Sequence, residues 1–393
     1  MEGRGYLAIF VIIPIILCKI GTLGLPQAIT HNVAADHGCA VRLYQLIKLP
    51  YIIQTILLIA LHTTIVMLYI QGKSAEIAFS GYISIMLTPG LLAHQYALAL
   101  FQGLGKFRIF NIMRILPMAI YSVALLLIFI NSEGSLPAIT FSWSFLHLSV
   151  GLATLFFAIR FIKSNQGTSS SSNHSKGLRI NDLLAFGLRG LLGSTSAFYT
   201  FRIDQLLIVG ILSPAALGVY VVAQAFANLP VLIAQSVAMI LYPLTSIAKN
   251  NWQRQKKLIT HALIFTAISS LIIVTVLILL IPLLLPFLFG NEFSDSVPIA
   301  QILLIAALFL SIRRILVEGQ RGLGHPMIST YAELSIYPIA FIVMPIILHY
   351  FLITGLAMSV VFSQIVALLI AFWFWSKILS QNRNRSAPRH PTI

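Results

Sequence analysis

Residues 258–289 read LITHALIFTAISSLIIVTVLILLIPLLLPFLF and contain no Asp, Glu, Lys or Arg. A helix of roughly 20 apolar residues spans the hydrocarbon core of a bilayer, so this run is long enough to cross a membrane. An extended strand would leave its backbone groups unpaired in lipid, whereas a helix satisfies them internally. The run therefore predicts a membrane-spanning helix that tilts or protrudes past the bilayer.

Apolar runs of similar character lie on both sides of this stretch. Together with it they number eleven, at 6–28, 50–70, 77–100, 110–130, 137–160, 183–211, 215–246, 258–289, 297–320, 327–349 and 352–376. The pattern predicts an all-α, polytopic transmembrane fold of about 11 helices, and a transporter rather than an enzyme.

The composition excludes a soluble protein. Of the 393 residues, 58% are apolar and 9% are charged, whereas soluble domains carry about 25% charged residues. The net charge of +15 comes from basic residues in short loops, which favours contact with anionic lipid headgroups over nucleic acid. Cys18 and Cys39 form no disulfide framework, and no cleavable signal peptide is evident.

The distribution of basic residues predicts the orientation. If the C-terminus is cytoplasmic, the segments 29–49, 101–114, 160–181, 247–257, 312–326 and 377–393 lie inside. They hold 20 of the 25 Lys and Arg residues, and the outside segments hold only Arg4 and Lys73. Because cytoplasmic loops are enriched in basic residues, we expect residue 1 outside and the C-terminus inside.

The Ser-rich stretch Thr168–Ser175 divides the chain. It is polar and of low complexity, which is typical of a flexible linker. We expect four segments: an N-terminal lobe of five helices, a cytoplasmic linker, a C-terminal lobe of six helices and a basic cytoplasmic tail. Their bounds are 1–160, 161–181, 182–376 and 377–393.

The two lobes resemble each other weakly. Gly103-Leu-Gly105 closes the third run, and Gly322-Leu-Gly324 closes the ninth, six runs later. Repeats of this kind are found in transporters that bind substrate between two halves. The pairing predicts a six-plus-six fold that lacks its first helix.

Charged side chains inside a membrane are costly and therefore candidates for function. Lys19, Arg189 and Arg202 are candidates for an anion-binding cavity, and Asp204 and Glu333 are candidates for ion coupling. The alternatives are arginines or a lysine that extend to the headgroups, and carboxylates that form structural pairs.

In one continuous helix over 183–211, Arg189 would lie about 20 Å from Arg202 along the axis. Arg202 and Asp204 would point to different faces, because only residues three and four apart stack. Nearer the cytoplasmic end of the ninth run, Glu318 is expected to pair with Arg314.

No histidine lies four residues from a carboxylate, a spacing typical of metal sites on helices, and no phosphate-binding glycine loop occurs. We therefore expect no metal and no other cofactor.

Several motifs resemble those of the polysaccharide flippases, which are O-antigen and lipid-linked oligosaccharide transporters. This family belongs to the multidrug/oligosaccharidyl-lipid/polysaccharide exporter superfamily. The motifs are Tyr199–Gly210, Ala216–Tyr220, Tyr242–Ser246, Phe289–Ser294 with Pro298, Gly24–Ala28 and Gln102–Arg108. The six C-terminal runs match best, and the first five resemble the family's second to sixth helices.

The resemblance implies a function in the bacterial inner membrane. The chain would translocate an undecaprenyl-diphosphate-linked oligosaccharide repeat unit from the inner to the outer leaflet by alternating access. Arg202, Arg189 and Lys19 would attract the diphosphate, and Asp204 or Glu333 would couple transport to an ion. Membrane lipids, a polysaccharide polymerase and a chain-length regulator are the implied partners.

Two other functions are compatible with the sequence. A multidrug or organic-cation exporter of the same superfamily is disfavoured by the cationic cavity residues, which would repel a cation. A membrane-embedded polysaccharide polymerase, ligase or glycosyltransferase would need a large outer loop or a cluster of carboxylates. The longest expected outer loop, near 290–297, is short and carries Glu292 and Asp295 as its acids.

The orientation can be measured directly. A green fluorescent protein fused after Ile393 should fluoresce, and alkaline phosphatase fused at the same position should be inactive, because the tail is expected in the cytoplasm. A fusion in the loop at Lys73 should give the reverse pattern. Active phosphatase at the C-terminus would contradict the predicted orientation.

Overall fold

The computed structural model describes residues 2–131, 134–164, 179–194, 202–248, 251–325 and 327–386. Within these ranges every regular element is helical, and no β-strand occurs. The all-α fold predicted from the sequence is confirmed. The residues divide into two compact units, one of Tyr6–Ser194 and one of Thr195–Ile393 together with Met1–Gly5. We call them the N-terminal unit and the C-terminal unit.

The N-terminal unit contains eight helices, the first of which begins in the residues grouped with the other unit. They are α1 (Glu2–Gly21), α2 (Leu25–Ala35), α3 (Ala40–Ile70), α4 (Ala75–Ser84), α5 (Leu87–Gly103), α6 (Phe107–Asn131), α7 (Leu136–Ser164) and α8 (Ile180–Ser194). A short 3-10 turn, His37–Cys39, connects α2 to α3.

The C-terminal unit contains the remaining helices. They are α9 (Ile203–Ile211), α10 (Pro214–Ile247), α11 (Trp252–Phe289), α12 (Ser296–Gly322), α13 (Met327–Leu334), α14 (Ile336–Pro338) and α15 (Met344–Ser386). A π-helical segment, Ile339–Val343, joins α14 to α15 directly after Pro338.

Helix α5 is the centre of the N-terminal unit and packs closely on α7. A Cβ on Gly151 of α7 would collide with the backbone carbonyl of Gly90 on α5. Without side chains at these two positions, the helix backbones touch, as is common where membrane helices associate through small residues. Leu92 and Phe101 of α5 are buried in the same core.

Helix α12 is the centre of the C-terminal unit, where it packs on α10, α11 and α15. Its buried Gln320 donates from Nε2 to the carbonyl oxygen of Ala371 on α15 at 2.8 Å. Gln255 at the start of α11 donates to the carbonyl of Thr245 on α10 at 2.9 Å. The side-chain amides at these two helix contacts thus donate to backbone carbonyls of the neighbouring helix, which joins the helices by hydrogen bonds.

Several of the predicted single helices are broken. The run 77–100 forms α4 and α5, and the run 327–349 begins with the separate helices α13 and α14. The run 6–28 is interrupted after Gly21, where Leu23 and Gly24 have φ of 50° and 73°. The run 183–211 consists of α8, which ends at Ser194, and α9, which begins at Ile203. The prediction of one continuous helix over 183–211 is therefore wrong, because Arg202 has left-handed backbone angles and α9 begins only after it.

Helix α8 packs on α2 within the N-terminal unit, where Gly24 and Gly187 bring the two backbones into contact. The predicted lobe boundary at residue 182 assigns this helix to the C-terminal lobe, whereas the structure places it in the N-terminal unit. Of the predicted linker, residues 165–178 lie outside the described residues. Of the predicted tail, 377–386 continue α15, and 387–393 lie outside the described residues.

Nine helical stretches among the described residues are long and apolar enough to cross a membrane. They overlap ten of the eleven predicted runs, since the single stretch Thr330–Gln381 overlaps the last two. Within that stretch the backbone leaves helical geometry at Leu352, where φ is 53°. The run 183–211 is the exception, because each of its two helices is short.

The outer surfaces of these helices are apolar. Phe129 on α6 and Phe287 on α11 are each 82% exposed, and similar side chains continue along both helices. A soluble protein rarely exposes contiguous apolar surface on this scale, so these faces are suited to lipid.

The contact between α5 and α7 gives a stability prediction. Gly151→Val should lower the free energy of unfolding by about 1–3 kcal/mol, because the side chain has no space against the Gly90 backbone. The thermal unfolding midpoint of the detergent-purified chain measures this loss. Gly210→Ala is the control, since a Cβ there meets no described atom within 4 Å. Equal midpoints for both variants would contradict the close approach.

Candidate functional site

A polar cavity lies inside the C-terminal unit between α9, α10, α12 and α15. Its volume is about 450 Å³, including its open mouth. The apolar part of the wall comes mainly from α12. The polar side chains on the wall are Arg202, Asp204, Tyr220, Gln224, Asn228 and Gln364.

Arg202 reaches the cavity because the backbone turns at this residue. It lies directly before α9 and has left-handed backbone angles, φ 48° and ψ 42°. Side chains other than glycine adopt this conformation infrequently. The turn places Arg202 at the amino end of α9 and Asp204 in the first helical turn, where a carboxylate is favoured by the helix dipole.

Asp204 is the buried centre of the site, with 1% of its surface exposed. Its Oδ2 accepts hydrogen bonds from the Tyr220 hydroxyl at 2.7 Å and from Gln224 Nε2 at 3.0 Å. A carboxylate removed from water is stable only when such donors compensate its desolvation. Tyr220 and Gln224 are four residues apart on α10 and therefore share a face.

Gln224 connects the carboxylate to the guanidinium. Its Oε1 accepts from Arg202 Nη1 at 3.1 Å and also from Gln205 Nε2, while its Nε2 donates to Asp204. Only this orientation of the amide satisfies all three neighbours. The neutral amide thus lies between Arg202 and Asp204, and the two charges form no direct ion pair within the described part of the chain.

Two oxygen atoms of this cavity are buried and have no hydrogen-bond partner among the described residues. They are Asp204 Oδ1 and Gln364 Oε1. Buried acceptors without partners are rare in folded proteins, because each one carries a desolvation cost. The cavity therefore offers a guanidinium for an anion and two acceptor oxygens for a cation, a proton or a hydroxyl group.

The structure brings together two of the five predicted site residues, Arg202 and Asp204. The expectation that they point to different faces is wrong, since Arg202 precedes the helix and is not part of its regular turn. Lys19 lies half-buried in the last turn of α1, in the N-terminal unit. Arg189 lies in α8 of that unit, and its side chain falls outside the described residues.

Glu333 does not line the cavity. It forms an ion pair with Arg313 of α12, with 2.7 Å between Glu333 Oε1 and Arg313 Nη1, and the Arg313 side chain is 4% exposed. Nearby, Glu318 pairs with Arg321 at 2.9 Å. The expected pair of Glu318 with Arg314 is wrong, because the carboxylate turns to the residue three positions later.

The polar wall residues that the sequence analysis does not single out are Tyr220, Gln224, Asn228 and Gln364. A signal exists for the first three, since they recur every four residues in a largely apolar run. That spacing places one polar stripe on a single helix face. The cost of burying charge selects ionisable side chains and passes over these neutral ones.

The fold is shared with solved membrane transporters. An inward-facing multidrug resistance MATE family transporter of the MOP superfamily superposes with a TM-score of 0.72 at 15% identity, over 98% of this chain and 92% of that one. An outward-facing transporter of the same family gives 0.66 at 16% identity, over 98% and 89%. A Vibrio cholerae MATE transporter gives 0.65 at 15% identity, over 97% and 89%. At these identities the likeness concerns the fold.

Among curated proteins, the chain is similar to an uncharacterized membrane protein of Methanocaldococcus jannaschii. The two are 24% identical over 275 residues, which are 68% of this chain and 53% of that protein. The chain thus spans about half the length of this relative.

The family of the chain follows from its match to a family model. Residues 3–298, well over half of the chain, match the model described as "Polysaccharide biosynthesis protein". They include α9, α10 and the three polar residues of α10 that line the cavity. The chain therefore belongs to the polysaccharide biosynthesis protein family.

Proposed function

We propose that this chain translocates an undecaprenyl-diphosphate-linked oligosaccharide repeat unit, the precursor of O-antigen or of another surface polysaccharide. Movement is from the inner to the outer leaflet of the bacterial inner membrane, by alternating access. Three observations support the proposal: the polysaccharide biosynthesis family, the transporter-like helical fold, and a cavity with an arginine that has no carboxylate partner among the described residues.

A polar cavity would lower the free-energy cost of moving the sugar headgroup through the bilayer. A sugar headgroup cannot enter lipid unaided, because each hydroxyl stripped of water costs several kcal/mol. A polar cavity supplies replacement hydrogen bonds while the polyprenyl tail stays in the bilayer. The two unpartnered acceptors, Asp204 Oδ1 and Gln364 Oε1, are suited to donors such as sugar hydroxyls.

Arg202 is the observation that carries the proposal. Its described hydrogen bond goes to a neutral amide oxygen, Gln224 Oε1, so its charge is not cancelled by a direct ion pair. A guanidinium has five N–H donors and binds phosphate through two parallel hydrogen bonds. In this proposal Arg202 binds the diphosphate, and Lys19 and Arg189 of the N-terminal unit are further candidate cations.

The membrane potential acts in the same direction. Outward movement of an anion across a bacterial inner membrane is favoured by roughly 2.3 kcal/mol per charge per 100 mV. An additional coupling ion would bind at Asp204, whose Oδ1 is free to accept a proton or a cation. Glu333 is the second candidate, although Arg313 already occupies one of its oxygens.

The exporter alternative rests on the solved structures of similar fold, which are multidrug resistance transporters. The cavity of this chain disfavours an organic cation. Arg202 would repel it, and the one carboxylate that lines the cavity is bonded to Tyr220 and Gln224. A polymerase or glycosyltransferase would require carboxylates that cooperate in glycosyl chemistry, and among the described residues that line the cavity Asp204 is the single carboxylate.

The first experiment tests Arg202. We expect Arg202→Ala to slow translocation roughly 10–100-fold, because charge-assisted hydrogen bonds contribute about 1.5–3 kcal/mol. Arg202→Lys should be intermediate, since it keeps the charge but loses the two-pronged geometry. The measurement is the cytoplasmic-leaflet pool of lipid-linked repeat units, in cells that depend on this chain for surface polysaccharide.

Lys257→Ala is the matched control, because this exposed lysine lies at the start of α11, outside the cavity wall. Membrane levels of each variant are compared by immunoblot. Wild-type surface polysaccharide with Arg202→Ala at normal levels would contradict the cavity role. A pool that never responds to loss of the chain itself would contradict the proposed function.

The second experiment separates the two carboxylates. In proteoliposomes with an imposed proton or sodium gradient, Asp204→Asn should abolish the response of transport to the gradient. Glu333→Gln should keep the response but lower the free energy of unfolding by about 3–5 kcal/mol, because Arg313 is left buried without its partner. A retained response in both single variants and in the double variant would remove ion coupling through these residues.

A further inference from the structure

An apolar groove lies in the N-terminal unit. It is bounded by α2, α3, α5 and α7, and its volume is about 640 Å³ including the open side. Its wall is almost entirely aliphatic and aromatic, and includes Ile47, Leu100 and Leu155. The chemistry of this lining suits an apolar ligand.

Two lysines flank one end of this groove. Lys48 lines it and is itself exposed, and Lys163 Nζ lies 5.9 Å from the centre of the Tyr44 ring, which also lines it. Tyr44 and Lys48 are one turn apart on α3 and share a face. Among the described residues, neither lysine forms an ion pair with a carboxylate.

The lysines mark the end of the groove that lies at the membrane boundary. Lys48 is in the third turn of α3, which begins at Ala40, and Lys163 is in the last turn of α7, which ends at Ser164. Lysines at such positions extend toward lipid headgroups while their stems cover apolar surface. The groove therefore has a cationic end at headgroup level and an apolar body that extends into the membrane.

The aromatic part of the groove wall needs no hydrogen-bond partner from a bound ligand. Tyr51 and Tyr96 pack with ring centres 5.2 Å apart, and the Tyr96 hydroxyl donates to Gln54 Oε1 at 2.6 Å. Since this hydroxyl is already satisfied, an occupant needs only apolar surface there. A hydrocarbon chain with an anionic head at one end fits both requirements.

The side of the groove toward lipid is accessible. Ile52 lines it and is 41% exposed, and Ile53 and Ile56 continue the exposed apolar face of α3. Helix α7 packs extensively on α5 and much less on α3, so a gap is left between α3 and α7. A lipid can enter this gap sideways from the bilayer.

We propose that this groove is a binding site for an anionic phospholipid, with its phosphate at Lys48 and Lys163 and one acyl chain along Ile47, Leu100 and Leu155. Basic pockets between membrane helices bind anionic headgroups through the same chemistry. The site does not depend on the proposed translocation of oligosaccharides. A chain without that activity would still bind the lipid.

The test uses the full-length purified chain and native mass spectrometry. Dioleoyl-phosphatidylglycerol is the anionic probe, and dioleoyl-phosphatidylcholine is the zwitterionic reference with the same acyl chains. Wild type should retain one phosphatidylglycerol molecule in preference to phosphatidylcholine. Lys48→Gln/Lys163→Gln should weaken this retention roughly 30-fold, from the loss of two charges at headgroup level.

Lys256→Gln/Lys257→Gln is the matched control, since it removes two exposed lysines of the C-terminal unit and should leave retention unchanged. Leu155→Phe, which fills the groove, should weaken retention of both lipids while the lysines remain. Because all four lysines are exposed, the variants are expected to fold, and the thermal midpoint checks this.

Equal retention of phosphatidylglycerol by wild type and by Lys48→Gln/Lys163→Gln would overturn the proposal. Displacement of phosphatidylglycerol by an equimolar polyprenyl phosphate would also overturn it, because the groove would then belong to a polyprenyl tail. Selective retention that is lost in both the lysine and the Leu155 variants supports the phospholipid site.

Discussion

The constraint on which this structure depends is that a backbone surrounded by lipid must satisfy its own hydrogen bonds. It explains why every regular element in the described ranges is a helix. It also implies that backbone groups at the ends of helices need partners from elsewhere in the protein. The left-handed turn at Arg202 is tolerated because the residues that follow face a polar cavity within the C-terminal unit, where side chains are available as partners.

Within that cavity, one neutral amide controls the electrostatics. Gln224 accepts from Arg202 and donates to Asp204, and so keeps opposite charges in one network without joining them. A direct ion pair would consume the donors of Arg202. The separated arrangement leaves the guanidinium able to interact with an anion and leaves one oxygen of Asp204 without a partner. The Arg313–Glu333 pair is the contrasting case, because there the two charges meet directly.

Much of the fold could be predicted from hydrophobicity, because the requirement for about 20 apolar residues per span is a property of the bilayer. Long runs such as 258–289 correspond to single helices. The end of α8 at Ser194 and the start of α9 at Ile203 could not be predicted, since the run 183–211 is apolar enough overall to suggest one span and helix ends depend on local backbone geometry. The expectation that Arg202 and Asp204 point to different faces is wrong for the same reason. Regular helical spacing separates them, whereas the left-handed turn at Arg202 brings both to one cavity.

Tyr220 and Gln224 illustrate a different difficulty. Neutral polar residues are common at helix contacts, so their type alone does not distinguish a site from ordinary packing. Their importance follows from their partner, a buried carboxylate on a helix that the sequence does not place beside them. The pairing of Glu318 with Arg321 instead of Arg314 is similar, since both spacings are compatible with a helix and side-chain packing makes the choice.

The π-helical segment Ile339–Val343 has a consequence for the comparison of relatives. A π turn accommodates one additional residue within a continuous helix, and one residue corresponds to about 100° of rotation. The side chains before this segment, including Glu333, are thus out of phase with those after it. A relative whose helix is regular here would have one residue fewer, so a correct alignment places a single-residue gap within 339–343. An alignment without that gap would match Glu333 to a position on the wrong face.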